Sequence, residues 1–222
     1  MPLKNNLCGK KILISAGPTW VALDAVRVIS NTASGETGMR LARSFARVGA
    51  QVTLLLGPGR VAPIGVGRGV RILRFSFFEE LAVLLDRQLQ TSRYDCVVHA
   101  AAVSDFTPLR VRAGKVSSQC AELVVRLVPT PKLIDRIKRS NPLAFLVGFK
   151  YVPEAADPVL RREAKRLLRG SCADLVVANT MRRKVYRAHF IDAQGQLLAT
   201  FGNKQTMVAG LVAYVGKCMG SV

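Results

Sequence analysis

The sequence predicts an α/β fold, a mainly parallel, doubly wound sheet with helices on both faces and a flap or arm insertion. Three observations predict it. Short apolar runs alternate with runs whose apolar residues recur three and four apart. A loop of small and polar residues, Val26 to Gly38 (VRVISNTASGETG), follows the first apolar run and opens the first helical one. The fourth apolar run ends in HAAAVSDFTP, small residues and then an acid, at the strand edge where open α/β sheets bind ligands.

In chain order, strands are expected at Ile12 to Ala16, Val52 to Leu56, Val70 to Phe75 and Cys96 to Ala100. Helices at Gly38 to Val48 and Phe78 to Gln90 fall between them, and Gly49 sits where a helix C-terminal glycine belongs. Pro58 to Gly69, rich in Gly and Pro, reads as a surface loop. The aperiodic stretch from Val111 to Gln119 lies in a flap of about 107–120 that precedes an alternating strand, Leu123 to Leu127. Pro131 to Lys138 reads as a short helix with Pro in its first turn, and Leu143 to Tyr151 as a strand. Asp157 is positioned to cap a basic helix, Pro158 to Arg169, and Asp174 to Ala178 is a buried strand closed by Asn179. A C-terminal hairpin (His189 to Phe201) and helix (Thr206 to Lys217) occupy about 188–218, so residues 1–222 are read as a single domain.

Composition narrows the function. Apolar runs fall well short of the ~20 residues of a membrane span, and MPLKNNLCGKK has no apolar signal core, so a cytoplasmic protein is expected. The five cysteines lack metal-ligand spacing and their number is odd, which argues against both a thiolate metal site and a complete disulfide framework. A net charge of +19 points to anionic partners. Arg161 to Arg169 and Arg182 to Arg187 concentrate that charge without interleaved aromatics, which favours a solvated basic face over a nucleic-acid platform.

Residues suited to anion chemistry gather in two stretches. Gly35 and Gly38 by themselves serve a tight turn or close helix packing as readily as a phosphate cradle. Arg27, a fixed cation, and Asn31, a donor and acceptor, in the same loop as Ser34 shift the reading toward an anion site at a helix start. Ala101 and Ala102 form a floor, with Asp105 available to a hydroxyl, an amide or a metal ion, although an Asp capping a turn accounts for it equally well. Lys115, alone in a flap, is by residue type most simply a solvated lysine.

Taken together, SAGPT at Ser15 to Thr19, VRVISN followed by SGETG, AAAVSDF, Lys115, VGFK at Val147 to Lys150 and VVAN at Val176 to Asn179 resemble the phosphopantothenoylcysteine synthetase family, in family order over most of the chain. The resemblance implies a Rossmann-like homodimer that joins 4'-phosphopantothenate to L-cysteine using a nucleoside triphosphate, CTP or ATP, with Mg²⁺. The substrate carboxylate would attack the α-phosphate, giving an acyl nucleotidylate and pyrophosphate, and the cysteine amine would then displace the nucleoside monophosphate. It further implies that Asn31 holds the acyl carbonyl, that Ala101, Ala102 and Asp105 line the phosphopantothenate site, and that Arg27 reaches the substrate across the dimer interface. Gly17, Ser34, Gly35 and Gly38 would surround the triphosphate, with Phe106, Phe149 and Asn179 beside the nucleotide and Lys115 against its phosphates. Asp105 is the candidate metal ligand.

The chain departs from the family at Ala33, where a serine is common, and at Lys132, where bifunctional bacterial members carry Asp after Thr-Pro. With VSS behind Lys115 and GFK in place of a GFAAE-like run, it resembles the stand-alone branch, which implies a separate decarboxylase protein in the pathway. CTP is the favoured nucleotide. A short-chain dehydrogenase would need Tyr followed four places later by Lys, and none of Tyr94, Tyr151, Tyr186 and Tyr214 has that partner. A basic nucleic-acid-binding module is the other rival, and it rests on charge alone.

Overall fold

The computed structural model describes residues 7–59, 69–117, 119 and 122–220. Its centre is an eight-stranded sheet in the order β12-β11-β10-β9-β6-β1-β4-β5. The strands are β1 (Lys11–Ala16), β4 (Gln51–Leu56), β5 (Val70–Arg74), β6 (Cys96–His99), β9 (Phe145–Tyr151), β10 (Leu175–Arg182), β11 (Val185–Asp192) and β12 (Leu197–Phe201). From β5 to β10 every pairing is parallel, and β11 and β12 add antiparallel hairpins at the far edge. Two small antiparallel pairs lie outside the sheet: β2 (Trp20–Ala22) with β3 (Val28–Ser30), and β7 (Phe106–Pro108) with β8 (Leu127–Pro129).

Both faces of the parallel strands are covered, which is why β1 from Ile12 and all of β6 are buried at every position rather than at alternate ones. On one face, Ile12, Ile14 and Ala16 pack with Met39, Leu41 and Phe45 of α1 (Glu36–Arg47) and with Met207, Leu211 and Val215 of α5 (Lys204–Met219). On the other, Leu13, Val97 and Val176 meet Leu81 and Leu85 of α2 (Phe78–Thr91), Ile137 of α3 (Ile134–Ser140) and Leu160, Ala164 and Leu168 of α4 (Asp157–Ser171). The i, i+4 spacing of those α4 residues leaves Arg161, Arg162, Lys165, Arg166 and Arg169 in solvent, as a basic helix face requires. Asn203 caps α5, its side chain accepting from the Thr206 N–H at 2.8 Å.

Several expectations change. The alternating run Leu123 to Leu127 pairs only at its end, as β8 Leu127–Pro129, because Leu123 and Val124 have no sheet or core to face and are exposed. Asp157 does not cap α4; it is the first helical residue, and its carboxylate binds Arg187 Nη1 at 2.8 Å and lies 3.3 Å from His189 Nε2. The short helix begins at Ile134 rather than Pro131, and the strand expected from Leu143 begins at Phe145. β10 continues past Asn179 to Arg182, since β11 pairs with it through a tight turn at Arg183 and Lys184, both with positive φ. The loop after β1 holds the β2–β3 hairpin, which periodicity did not indicate. Residues 60–68 of the expected Pro58 to Gly69 loop, and Cys120, lie outside the described residues.

Candidate active site

The chain leaves β1 through α1 toward β4 on one side and later returns to β6 on the other, so β1 and β6 flank a topological switch point. Ligands of open α/β sheets bind outside the strand carboxyl ends at such a point. The loops after β1 and β6 are stitched together there. Ala102 N–H donates to Gly17 O at 2.9 Å, and Thr19 N–H donates to Ala102 O at 3.3 Å. Buried hydroxyls extend the seam: the Ser104 N–H donates to Thr19 Oγ1 at 2.9 Å, Thr19 Oγ1 to Ser104 Oγ at 3.1 Å, and Thr130 Oγ1 to Ser104 O at 2.5 Å.

Asn31 enters this seam from the foot of the β2–β3 hairpin. Its Nδ2 donates to Ala102 O at 2.9 Å and lies 3.4 Å from Val103 O, a contact between residues 71 and 72 positions apart. Asn31 is exposed, and Ala101 and Ala102 are half-buried, so the amide stands above a floor of small side chains. Beneath that floor Ser15 Oγ meets His99 Nδ1 at 2.8 Å, and burial pushes the His99 imidazole down to about 4, leaving it neutral near pH 7.

The glycines divide by role. Gly17 and Gly35 have φ of 84° and 77°, and a Cβ on Gly17 would sit 3.2 Å from the Gly57 backbone, so close chain approach fixes both. Gly35 precedes α1 directly, where unpaired N–H groups and the helix dipole favour an anion. Gly38 faces inward: a Cβ there would overlap the Ala16 side chain, so its smallness serves the packing of α1 on β1. Ser34 Oγ accepts from the Glu36 N–H at 3.3 Å, while Glu36 is held below its usual carboxylate range, first by Lys204 and then by Arg40. Phe149 packs on the α1 face of the sheet, and Asn179, which pairs across to Ala188 of that same core, is the last β10 residue paired with β9. Phe106 is exposed at the base of the arm.

Lys115 is exposed in the arm between β7 and β8. Asp105 is ion-paired with Lys132, so the substitution after Thr-Pro supplies a cation to this acid. Asp105 therefore does not stand free as a metal ligand, and among the described residues no group of three or more His, Cys, Asp or Glu could hold a metal ion. Among the described residues the donor set therefore does not fit a resident Mg²⁺. Arg27 Nε donates to Asp24 Oδ2 at 2.9 Å and its Nη2 to Val116 O at 2.9 Å. Asn31, Ala101, Ala102, Gly17 and Gly35 are thus gathered at the switch point, Arg27 on the hairpin holds Val116, the arm residue after Lys115, and Phe149 and Asn179 lie farther along the sheet.

Sequence reasoning missed the hydroxyl seam, Lys132's partner and Asp24. Only Asp24 carried a signal: Asp followed two and three places later by its own N–H donors is an Asx turn, with Val26 N–H at 3.0 Å and Arg27 N–H at 2.8 Å.

Residues 7–211 match the family described as the DNA/pantothenate metabolism flavoprotein C-terminal domain. The chain belongs to this family. A relative from Thermococcus kodakarensis, named coenzyme A biosynthesis bifunctional protein CoaBC, is 37% identical over 177 residues, 80% of this chain and 43% of that protein. The chain spans about half, or less, of the length of the curated relatives it matches. Among solved structures, the DNA/pantothenate metabolism flavoprotein of Streptococcus pneumoniae superposes with a TM-score of 0.84 at 26% identity, over 95% of this chain and all of that one. A Cab2 mutant in complex with phosphopantothenate-cysteine has the same fold, with a TM-score of 0.76 at 20% identity over 95% of this chain and 87% of that one. The motif resemblance and the family description agree on pantothenate metabolism. Among the described residues no helix is long and apolar enough to cross a membrane.

Proposed function

We propose that this chain ligates 4'-phosphopantothenate to L-cysteine through an acyl nucleotidylate, using CTP, or ATP in its place, in the cytoplasm. The observation that carries the reading is the Asn31–Ala102 hydrogen bond at 2.9 Å, which joins the VRVISN and AAAVSDF stretches into one site. The names of relatives support it: the Thermococcus protein acts in coenzyme A biosynthesis, and the Cab2 structure holds the product-like phosphopantothenate-cysteine.

The substrate carboxylate attacks the α-phosphorus; a P–O bond forms, the bond to the pyrophosphate leaving group breaks, and an acyl nucleotidylate results. Charge on the departing phosphates is met by Lys115 and by the N–H groups at the start of α1 beside Ser34 and Gly35. The second Asn31 N–H, engaged only at 3.4 Å, turns to the acyl carbonyl as the cysteine amine attacks it and nucleoside monophosphate departs with the oxygen it gained. Ala101 and Ala102 leave room for the pantothenate arm, the Asp105–Lys132 pair borders it, and Phe149, Phe106 and Asn179 border the nucleotide. Mg²⁺ arrives with the triphosphate. Arg27 uses Nε and Nη2 within its own chain, and with its side chain 41% exposed it can present Nη1 to the substrate of a second subunit in a homodimer. A separate decarboxylase protein acts in the same pathway, and neither a membrane nor a specific nucleic acid takes part.

The test is release of pyrophosphate from CTP or ATP with phosphopantothenate, without and then with cysteine. Turnover that needs cysteine for release of the nucleoside monophosphate supports the reading. Hydride transfer with a pyridine nucleotide and no pyrophosphate would replace it.

A further inference from the structure

The arm that carries Lys115 leaves an open groove against the body. The groove, about 370 Å³, lies between Leu23 and the arm residues Leu109, Val111, Val116 and Leu123, with Arg110, Arg112 and Arg126 also on its walls. An open groove of this kind does not fix a long loop in one place. Beyond the Leu109–Arg126 pair at its base, the hydrogen bonds that tie the described arm residues to the body all meet at Val116. Asp24 Oδ2 accepts the Val116 N–H at 3.0 Å, and Arg27 Nη2 donates to Val116 O at 2.9 Å, so one residue is held by both its backbone polar groups.

The holder is itself immobilised. The Asp24 side chain is fully buried and also accepts from the N–H groups of Val26 and Arg27 and from the Arg27 guanidinium. The Arg27 guanidinium first, then the Val116 and Val26 N–H groups, hold its carboxyl well below the usual carboxylate range, so the acceptor is charged at any working pH. It sits at the turn of the hairpin whose other end delivers Asn31, four residues past Arg27 and roughly 13 Å away if extended. Lys115 is the residue before Val116.

We infer that Asp24 is a positioning residue: it latches the arm through the Val116 backbone and thereby sets where Lys115 stands relative to the site that Asn31 enters. The inference rests on the reading of Lys115 as the phosphate counter-charge. It gives Arg27 a duty within its own subunit, as the second jaw of the latch. Asp24 touches no reactant and acts only through Val116.

The test is a double-mutant cycle on pyrophosphate release, with amide exchange at Val116 as the independent readout. Asp24→Asn replaces one acceptor oxygen with a donor and removes the charge, so the Val116 amide should exchange at least tenfold faster. The nucleotidylation rate at saturating nucleotide should fall about tenfold, and Asp24→Asn added to Lys115→Ala should cost nothing beyond Lys115→Ala alone. Should Asp24→Asn fail to fold, Val116→Pro removes the donated N–H, keeps the Asp24–Arg27 pair and repeats the cycle. Losses that multiply in the double variant, or unchanged protection of the Val116 amide in Asp24→Asn, overturn the inference while leaving the ligase reading intact. Wild-type turnover by Lys115→Ala would overturn both this inference and the role assigned to Lys115.

Discussion

Replacing His99 should remove an acid-sensitive element from the floor of the site. His99 is buried at the end of β6 against Ser15, and burial lowers its pKa from 6.5 to about 4. The unfolded chain therefore takes up a proton that the folded chain refuses, and stability falls as pH drops below about 6.5, with the loss complete below about 4. The full difference of about 2.5 pH units corresponds to roughly 3 kcal/mol, of which about 2 kcal/mol is lost between pH 7.5 and pH 5. Urea unfolding of the wild type and of His99→Gln, whose amide can still reach Ser15, should show this slope in the wild type and not in the variant. Only two histidines are present, so the His99 ring resonance can be followed alongside. Equal pH slopes in the two proteins, or a His99 ring that titrates near 6.5 in the folded state, would refute the reasoning.

Gly38→Ala places a methyl against Ala16; overpacking costs roughly 1–3 kcal/mol against a helix-propensity gain of about 1 kcal/mol, so the melting midpoint should drop by roughly 4 °C. Ala16→Gly in the same chain should restore it, and a midpoint that Gly38→Ala leaves unchanged would contradict the packing role. Asn31→Asp should let the acyl nucleotidylate accumulate and slow its capture by cysteine about a hundredfold, seen by quenching single turnovers; this is the loss typical of one transition-state hydrogen bond. Lys132→Met frees Asp105, so the KM for phosphopantothenate should rise several-fold with kcat little changed, because a bare carboxylate then borders an anionic substrate. Steady-state kinetics check it.

The parallel core was legible because each strand there is buried on both faces and each helix on one, so β1, β4, β6, α1 and α2 left clear periods in the sequence. What periodicity could not show was pairing without burial. The β2–β3 hairpin is three residues on each side, too short for a pattern, and the polar end of β10 looked like a stop because its last residues pair with β11 beyond the core. In the arm the error ran the other way: Leu123 to Leu127 alternates as a strand should, but among the described residues only Arg126 and Leu127 find a backbone partner, at Leu109 and Pro108. Asp157 looked like a cap because the charges that claim it, Arg187 and His189, come from β11, 30 or more residues away.

The site was legible mainly as motif order. No local rule links Asn31 to Ala102, and Thr19, Ser104 and Thr130 are commonplace residues whose seam exists only once β1 and β6 lie side by side. Gly38 shows the limit of motif reading: it belongs to the glycine pattern, yet its Cα faces Ala16.

The central claim is that the substrate carboxylate is joined to a nucleotide at its α-phosphate. Phosphopantothenate labelled with ¹⁸O in the carboxylate, turned over with CTP or ATP and cysteine, tests it directly. The account predicts one ¹⁸O in the nucleoside monophosphate and none in pyrophosphate; label in orthophosphate would show an acyl phosphate instead and contradict it.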